Sequence, residues 1–459
     1  MNLEEQETRK KWLLYLNEHI MSYCQSIMTM IYNKHPDLDA IDTTFYPTNS
    51  DGTKNMAESF DLSYGDPFDL NNPWKNPLEK EVVEILGKLL GFQDMSGYVT
   101  ASECEANFSC IWWCKLFLLE KSNYKIKELI ESIEAAKQDI KNLRRDEEFQ
   151  LRNLKNQEIY ELSKQLKNIQ QPILICSRPP YTDISIIKAA QVMHLKTCYV
   201  KVNEDGSMNT QSLRVLLNEF SKDQAFNFII SLNLGTQIGG SFDDLLTIRK
   251  VIQEVQQEFF FQQKDGQYQF NNYGEDQRKQ INNWNFVFHG DALLYGPTLT
   301  ILKQYGDQIK SLREEGLDTM SISLWKFLGC QIPAAVSLTY KDFTDFAFQG
   351  DNFIEYVSTS DKVAFTGTRS GLTSMCAVHL LKTLKIDKNQ EILRKLIQYD
   401  MSLADYLCQR LLQIFSQDQI QRRYLHSVIF HNVNKELIDE FIEELLNHFK
   451  NSNENTSRI

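Results

Sequence analysis

The clearest signal along the chain is a change in the hydrophobic period. Between Pro77 and Phe92 the residues Val82, Val83, Leu86, Leu89 and Leu90 form one helical stripe, with Pro77 in the first turn. From Gly97 the pattern switches to short apolar runs separated by helical stretches. The runs are Gly97–Thr100, Ile173–Cys176, Lys196–Val200, Phe226–Asn233, Asn285–His289 and Thr319–Ser323. Several are apolar at consecutive positions, as in strands covered on both faces. They predict a mostly parallel sheet with helices on each side, reaching to about residue 340. Ligands of such sheets bind beyond the carboxyl ends of the strands, so polar residues just after the runs are the ones to examine.

Other segments flank or interrupt this pattern. Lys11–Tyr32 has helical spacing and Tyr46–Thr53 is turn-rich, which predicts an N-terminal helical arm over 1–60. A large α/β domain is expected over 61–350 and a small C-terminal α+β domain over 351–459, helical from Arg394 except for a strand around His426–Asn432. Within 121–170 the residues Ile126, Leu129, Ile133, Ala136, Ile140 and Leu143 keep a three-to-four spacing. It resumes after the charged break Arg144–Glu148 at Ile159, Leu162, Leu166 and Ile169. The chain must return to the sheet at Ile173, so this insertion reads as an antiparallel helical hairpin projecting from the body. Gln262–Asn283, rich in Gln, Asn and Gly, reads as a surface loop.

Composition narrows the class. The 459 residues are 42% hydrophobic and 11% aromatic, enough for a sizeable core and against bulk disorder. The length suggests two to four domains, or one large core with appendages. Forty-nine basic against 61 acidic residues give a net charge of −12, which argues against a nucleic-acid partner. No apolar run approaches the roughly 18–20 residues that span a bilayer, so no membrane partner is expected. Glu4, Glu5 and Glu7 do not fit a signal or transit peptide. The nine cysteines form no CxxC pair and suggest a reduced, cytoplasmic protein. Cys110 and Cys114, one helical turn apart, read as helix-face packing and no metal site is expected.

Two strand ends carry candidate chemistry. Phe286–Ala292 is an apolar strand ending in Asp291, which alone reads as a cap or turn residue. Lys326 sits between Trp325 and Phe327, where the ordinary reading is a snorkelling lysine and the functional one a desolvated amine nucleophile. The two lie 35 residues apart, room for one helical crossover, so neighbouring strand ends would hold one carboxylate and one amine.

At these residues the chain resembles the pyridoxal-phosphate-dependent group II amino-acid decarboxylases, especially the histidine decarboxylase and plant serine decarboxylase branch. The resemblance is collinear over most of 60–375. It rests on SYGDPFDLNNPWKNPLEKEV, GYVTASECEAN, ICSRPPYTDISIIKAA, NLGTQIGGSFDDL, FHGDALLYG, DTMSISLWKFLG and TGTRSG. It implies fold type I, the aspartate-aminotransferase-like transferase fold, with seven strands in the large domain. It also implies pyridoxal 5′-phosphate as cofactor, an amino-acid substrate, and a homodimer with the cofactor near the interface. By position, Lys326 matches the lysine of the internal aldimine and Asp291 the partner of the pyridine nitrogen. Ser102, Glu103 and Cys104 match the phosphate loop before a helix starting near Glu105, where helix-start N–H groups suit a dianion. Ser323 would add a hydroxyl to the phosphate, and Asn107, Thr236 and Ala292 would border the ring. Arg369 matches an arginine whose plainer reading is a structural ion pair.

Several positions depart from the pattern. A Gly-Thr of the family's phosphate loop is Glu103-Cys104 here, and a glutamate repels a phosphate unless it points away. The histidine before the lysine is Trp325. The ring-stacking histidine falls at Asp183, which cannot stack, although Tyr181 stands two residues away. Gly290 precedes the aspartate instead of following it. Three functions stay open: amino-acid decarboxylation, a catalytically inactive relative acting as a binding or scaffold protein, and another aldimine chemistry such as transamination.

Overall fold

A computed structural model describes residues 77–456 with interruptions, the longest at 271–283, 299–315, 349–362 and 415–433. The arm expected at 1–60 and the strand expected at His426–Asn432 lie outside the described residues. The elements run α1 Pro77–Leu89, β1 Met95–Thr100, α2 Glu103–Asn142, α3 Phe149–Lys167, β2 Ile173–Ser177, α4 Ile184–Val192, β3 Lys196–Val200, α5 Thr210–Asn218 and β4 Phe226–Asn233. They continue through α6 Leu245–Phe260, β5 Phe261–Lys264, β6 Gln267–Phe270, β7 Trp284–Ala292, β8 Thr319–Ser323, α7 Leu324–Leu328, β9 Ala335–Tyr340 and α8 Lys341–Ala347. The last helices are α9 Gly371–Thr383, α10 Glu391–Ile414 and α11 Lys435–Thr456.

Seven strands form one sheet in the order β1-β9-β8-β7-β4-β2-β3. Pairs β8–β7, β7–β4, β4–β2 and β2–β3 are parallel, whereas β9 runs antiparallel to both β1 and β8. The sheet is therefore mostly parallel, as expected, with an antiparallel insertion near one edge. Every residue of β2, β4 and β8 is buried, the physical reason that Ile173–Cys176 and Phe228–Ile230 are apolar at consecutive positions, whereas β8 buries polar residues at alternate positions. Strand β9 escapes the apolar-run pattern because Ser337 and Thr339 interrupt it; their hydroxyls are satisfied by the Ala106 and Asp318 carbonyls. The surface-loop reading of Gln262–Asn283 is corrected in part: β5 and β6 pair there as an antiparallel hairpin. Each of these strands is only four residues long and set among Gln, Asn and Gly, which leaves too short a pattern to read.

The helical hairpin is present, but its first arm does not begin at 121. It is the second half of α2, one helix of 40 residues whose first turns lie under the sheet. Trp113 is fully buried there and donates its Nε1–H to the Val363 carbonyl at 2.8 Å. Farther along, Leu129, Ile133 and Ala136 are buried where α3 packs on α2. The facing arm keeps Leu154 and Tyr160 largely exposed, which fits two helices packing mainly on each other. Deleting residues 124–167 and closing the gap with a short Gly/Ser linker is expected to leave the sheet domain folded, because the Ser122–Asn227 hydrogen bond and everything before it remain. Circular dichroism and thermal melting of the soluble variant check this; failure to obtain soluble protein would make the hairpin integral.

Candidate active site

The parallel register sets the site. His289 pairs with Thr319 and Asp291 with Ser321, so the carboxyl ends of β7 and β8 present alternate polar residues to one face. Helix α2 crosses that face with Asn107, Cys110 and Cys114. Asn107 is fully buried and connects four neighbours. Its Oδ1 accepts from Ser321 and lies 3.1 Å from His289 Nε2, while its Nδ2 donates to Ser185 Oγ at 2.8 Å. A hydrogen bond from Asn107 also favours the charged form of Asp291. An Oδ1 acceptor requires His289 to carry its proton on Nε2, so Nδ1 accepts from Thr319 Oγ1 at 3.0 Å. Burial holds His289 neutral, its pKa pushed down to about 3. Cys114 then donates weakly to Thr319 at 3.4 Å, and both Cys110 and Cys114 are packed helix-face thiols, as expected.

Asp291 is buried at the end of β7, with Oδ1 accepting the Leu293 N–H at 3.3 Å. Burial, then the nearby Asp183 carboxylate, raise its pKa to about 7; Asn107 and Lys326 oppose the rise. Asp318 is pushed to about 7 and Asp243 to about 6, in both cases chiefly by burial. Between these values and the ordinary carboxylate range the folded chain binds more protons than the unfolded chain. The contribution of these three groups to stability therefore falls as pH rises from about 4 to about 7. For the cofactor-free protein, Asp291→Asn removes one such penalty. It is expected to raise the melting temperature near pH 8 and leave it unchanged near pH 4, with a gap growing by at most roughly 1.4 kcal/mol per pH unit. An equal difference at both pH values would show that Asp291 is not a proton-seeking buried carboxylate.

Lys326 stands in α7, a short helix starting directly after β8 and ended by Gly329 at φ 69°, the left-handed conformation a glycine adopts without strain. The Ser323 hydroxyl caps α7 by accepting the Lys326 N–H at 3.3 Å. Lys326 is buried as expected, but its amine does not stand among apolar neighbours alone. Lys326 Nζ is 2.8 Å from Glu103 Oε2, with the two side chains 9% and 20% exposed. Trp325 is 41% exposed, with the ammonium 5.5 Å from its ring centroid.

Helix α2 begins at Glu103, two residues before the expected start near Glu105. Ser102 Oγ accepts the Glu105 N–H at 3.2 Å, and Glu105 Oε2 accepts from the Ala101 N–H at 3.0 Å, together closing the helix start. Glu103 points into the site, its Oε1 buried with no hydrogen-bond partner, while Cys104 is exposed. Asp183 caps α4, accepting from the Ser185 N–H at 2.8 Å and the Ser185 hydroxyl at 2.5 Å. Tyr181 packs against Gly206. Thr236, just past β4, is buried with its hydroxyl 2.7 Å from Ser241 Oγ, and Ala292 is buried at the end of β7. Gly290 is explained by crowding: a Cβ there would meet Leu234 and Leu317. Arg369 makes a bidentate pair with Glu79 at 2.8 Å for both contacts, the structural role weighed for it. Among the described residues no group of three or more His, Cys, Asp or Glu side chains could hold a metal ion, and no helix is long and apolar enough to cross a membrane.

The structure thus links Asp291 with Asn107, Asp183 and Lys326 beyond the ends of β7 and β8, with Glu103 on the Lys326 amine and Ser323 capping the helix that carries it. Sequence reasoning did not single out His289, Thr319, Ser321 and Ser185; the readable signal was polar residues at alternate positions of two otherwise apolar strands. For pyridoxal 5′-phosphate, the residues fit one end of the group. A buried carboxylate backed by an asparagine suits a ring N–H, and a lysine amine faces the same crevice. The phosphate end does not fit as it stands, because Glu103 puts a carboxylate at the helix start where that dianion would lie.

Residues 148–324 match the pyridoxal-dependent decarboxylase conserved domain, a segment containing Asp291 and ending two residues before Lys326. The histidine decarboxylase of Morganella morganii is 23% identical over 230 residues, covering 50% of this chain and 51% of that protein. Serine decarboxylase 3 of Oryza sativa subsp. japonica is 24% identical over 285 residues, covering 57% of this chain and 55% of that protein. The chain spans about half the length of these curated relatives. Among solved structures, the L-methionine decarboxylase of Streptomyces sp. 590 in its internal aldimine form superposes with a TM-score of 0.54 at 14% identity, covering 83% of this chain and 85% of that one. These matches bear out the resemblance to the group II pyridoxal-phosphate-dependent decarboxylases, and the fold is fold type I. The family implies pyridoxal 5′-phosphate as cofactor.

Proposed function

We propose that this chain is a pyridoxal-phosphate-dependent carboxy-lyase that removes CO₂ from an amino acid, in the manner of the histidine and serine decarboxylases. The observation that carries the reading is that Lys326, just after β8, lies close enough to Asp291, near the end of the adjacent parallel β7, for its charge to act on that carboxylate. The bound cofactor supplies a sink for the electron pair left when CO₂ departs. In this reading Asp291 accepts the ring N–H and keeps that nitrogen protonated, a task matched to a carboxylate that burial leaves short of positive charge. Asn107 fixes the carboxylate, and the neutral His289 fixes Asn107. Lys326 supplies the amine that holds the cofactor aldehyde. An amino-acid substrate, a homodimer and a cytoplasmic location belong to the same reading.

A second reading, an inactive relative kept for binding, is favoured by the Glu103–Lys326 ion pair, which engages the amine that a cofactor aldehyde would need. Reconstitution decides between them. The protein is incubated with pyridoxal 5′-phosphate, reduced with borohydride and mapped by mass spectrometry, then screened with the common amino acids for CO₂ release. A Lys326 adduct together with CO₂ from one amino acid supports decarboxylation. No adduct and no CO₂ at saturating cofactor supports the inactive reading.

A further inference from the structure

The oddity of the site is Glu103. It begins a 40-residue helix, where unpaired N–H groups favour an anion. Its side chain turns inward, one oxygen on the Lys326 ammonium at 2.8 Å and the other buried without a hydrogen-bond partner. Asp291 and Asp183 add two more carboxylates, close enough for one to act on the other. A phosphate dianion brought to the start of α2 would meet the Glu103 carboxylate with one ammonium beside it, and that ammonium is spent once it becomes an imine.

We propose that Glu103 is an internal stand-in for a ligand's phosphate: it sets a carboxylate beside the start of α2, keeps Lys326 as its counter-ion, and makes the site select an unphosphorylated pyridoxal-type aldehyde over its phosphate ester. This rests on the reading of Lys326 as the cofactor-holding amine. The orphan Oε1 is an acceptor waiting for a donor. The hydroxymethyl group of pyridoxal offers an O–H to it, and a phosphate dianion offers none. The pair also manages the proton. Lys326 Nζ passes one proton to Glu103, giving a neutral amine and a neutral carboxylic acid. The nitrogen lone pair then attacks the aldehyde carbon, the C=O bond breaks, and water leaves with the aldehyde oxygen and the two remaining amine hydrogens.

The test titrates wild type, Glu103→Gln and Glu103→Ser with pyridoxal and with pyridoxal 5′-phosphate, reading imine absorbance and the borohydride-reduced mass at Lys326. The quantity of interest is the ratio of the two apparent affinities within each protein, which cancels differences in folded fraction and in the free aldehyde content of each ligand. Removing one like charge beside the phosphate is expected to shift that ratio about tenfold or more toward the phosphate ester in both variants. Melting curves of the three proteins confirm that they are folded. A ratio unchanged within about twofold in both variants overturns the inference, as does the absence of any Lys326 adduct in every protein with either aldehyde. If the ratio shifts but no amino acid yields CO₂ with either aldehyde, the selectivity of Glu103 stands and the decarboxylase reading falls. If wild type holds the phosphate ester as tightly as the variants do and releases CO₂, the decarboxylase reading stands and the role of Glu103 falls.

Discussion

Lys326→Ala is expected to take up no borohydride-reducible aldehyde and to lower CO₂ release by on the order of 10³-fold or more, because no other group can replace a covalently bonded amine. Lys326 is the lysine that reaches the crevice from α7, directly after the strand that pairs with the Asp291 strand. Its loss also leaves the Glu103 carboxylate with neither oxygen paired, since Oε1 already has no partner. Stability should therefore fall by about 1–2 kcal/mol, a modest figure because Glu103 is partly solvated. Lys326→Met, which keeps the stem and removes the charge, separates lost packing from lost pairing. Mass spectrometry of the reduced protein is the decisive measurement. An adduct of full stoichiometry in Lys326→Ala would place the anchor on another lysine and break the alignment through DTMSISLWKFLG.

The largest loss of stability is expected at Arg369, far from any bond-making. Its guanidinium grips Glu79 with two 2.8 Å hydrogen bonds, donates to the Thr366 carbonyl at 3.0 Å, and lies 5.0 Å from the Tyr98 ring centroid. Glu79 in turn accepts the Val99 N–H at 3.0 Å, so this pair ties α1, β1 and the segment before α9 together. Both side chains are under one tenth exposed. Arg369→Ala strands a buried carboxylate, which costs about 3–5 kcal/mol. Urea unfolding measures it. The double variant Arg369→Ala with Glu79→Gln should lose less than the single one, because the amide still accepts from Val99 and carries no charge. Equal losses in the two proteins would mean that packing, and not the stranded charge, sets the cost. Arg369→Lys is expected to recover only part of the loss, since an ammonium cannot make the bidentate contact.

Burial decides which parts of this architecture the sequence displays. Lys196–Val200, Phe226–Asn233 and Thr319–Ser323 are strands with the bounds that the apolar runs suggest. In the last two every residue is buried, the polar Asn233, Thr319 and Ser323 at their ends included. Strand β9 is equally buried but spends two of its positions on hydroxyls that bond to carbonyls of other elements, a compensation invisible along the chain. In the site, Asp291 and Lys326 stand out because each ends a strand or begins a helix in a recognisable setting. Glu103 stands out only as a misfit. Where its side chain goes depends on a residue 223 positions later, and no local pattern carries such a contact. The same holds for Asn107, whose partners His289 and Ser321 are 182 and 214 residues away.

The unbroken course of α2 has a mechanical meaning. At about 1.5 Å per residue, its 40 residues make a rod roughly 60 Å long. One end is Glu103, the other the turn of the hairpin, and Trp113 is clamped in the core about a quarter of the way along. That makes a lever with unequal arms. A swing of about 3 Å at the hairpin end, pivoting at Trp113, becomes about 1 Å at Glu103 if the rod stays straight. One ångström is the difference between a closed ion pair and an open one.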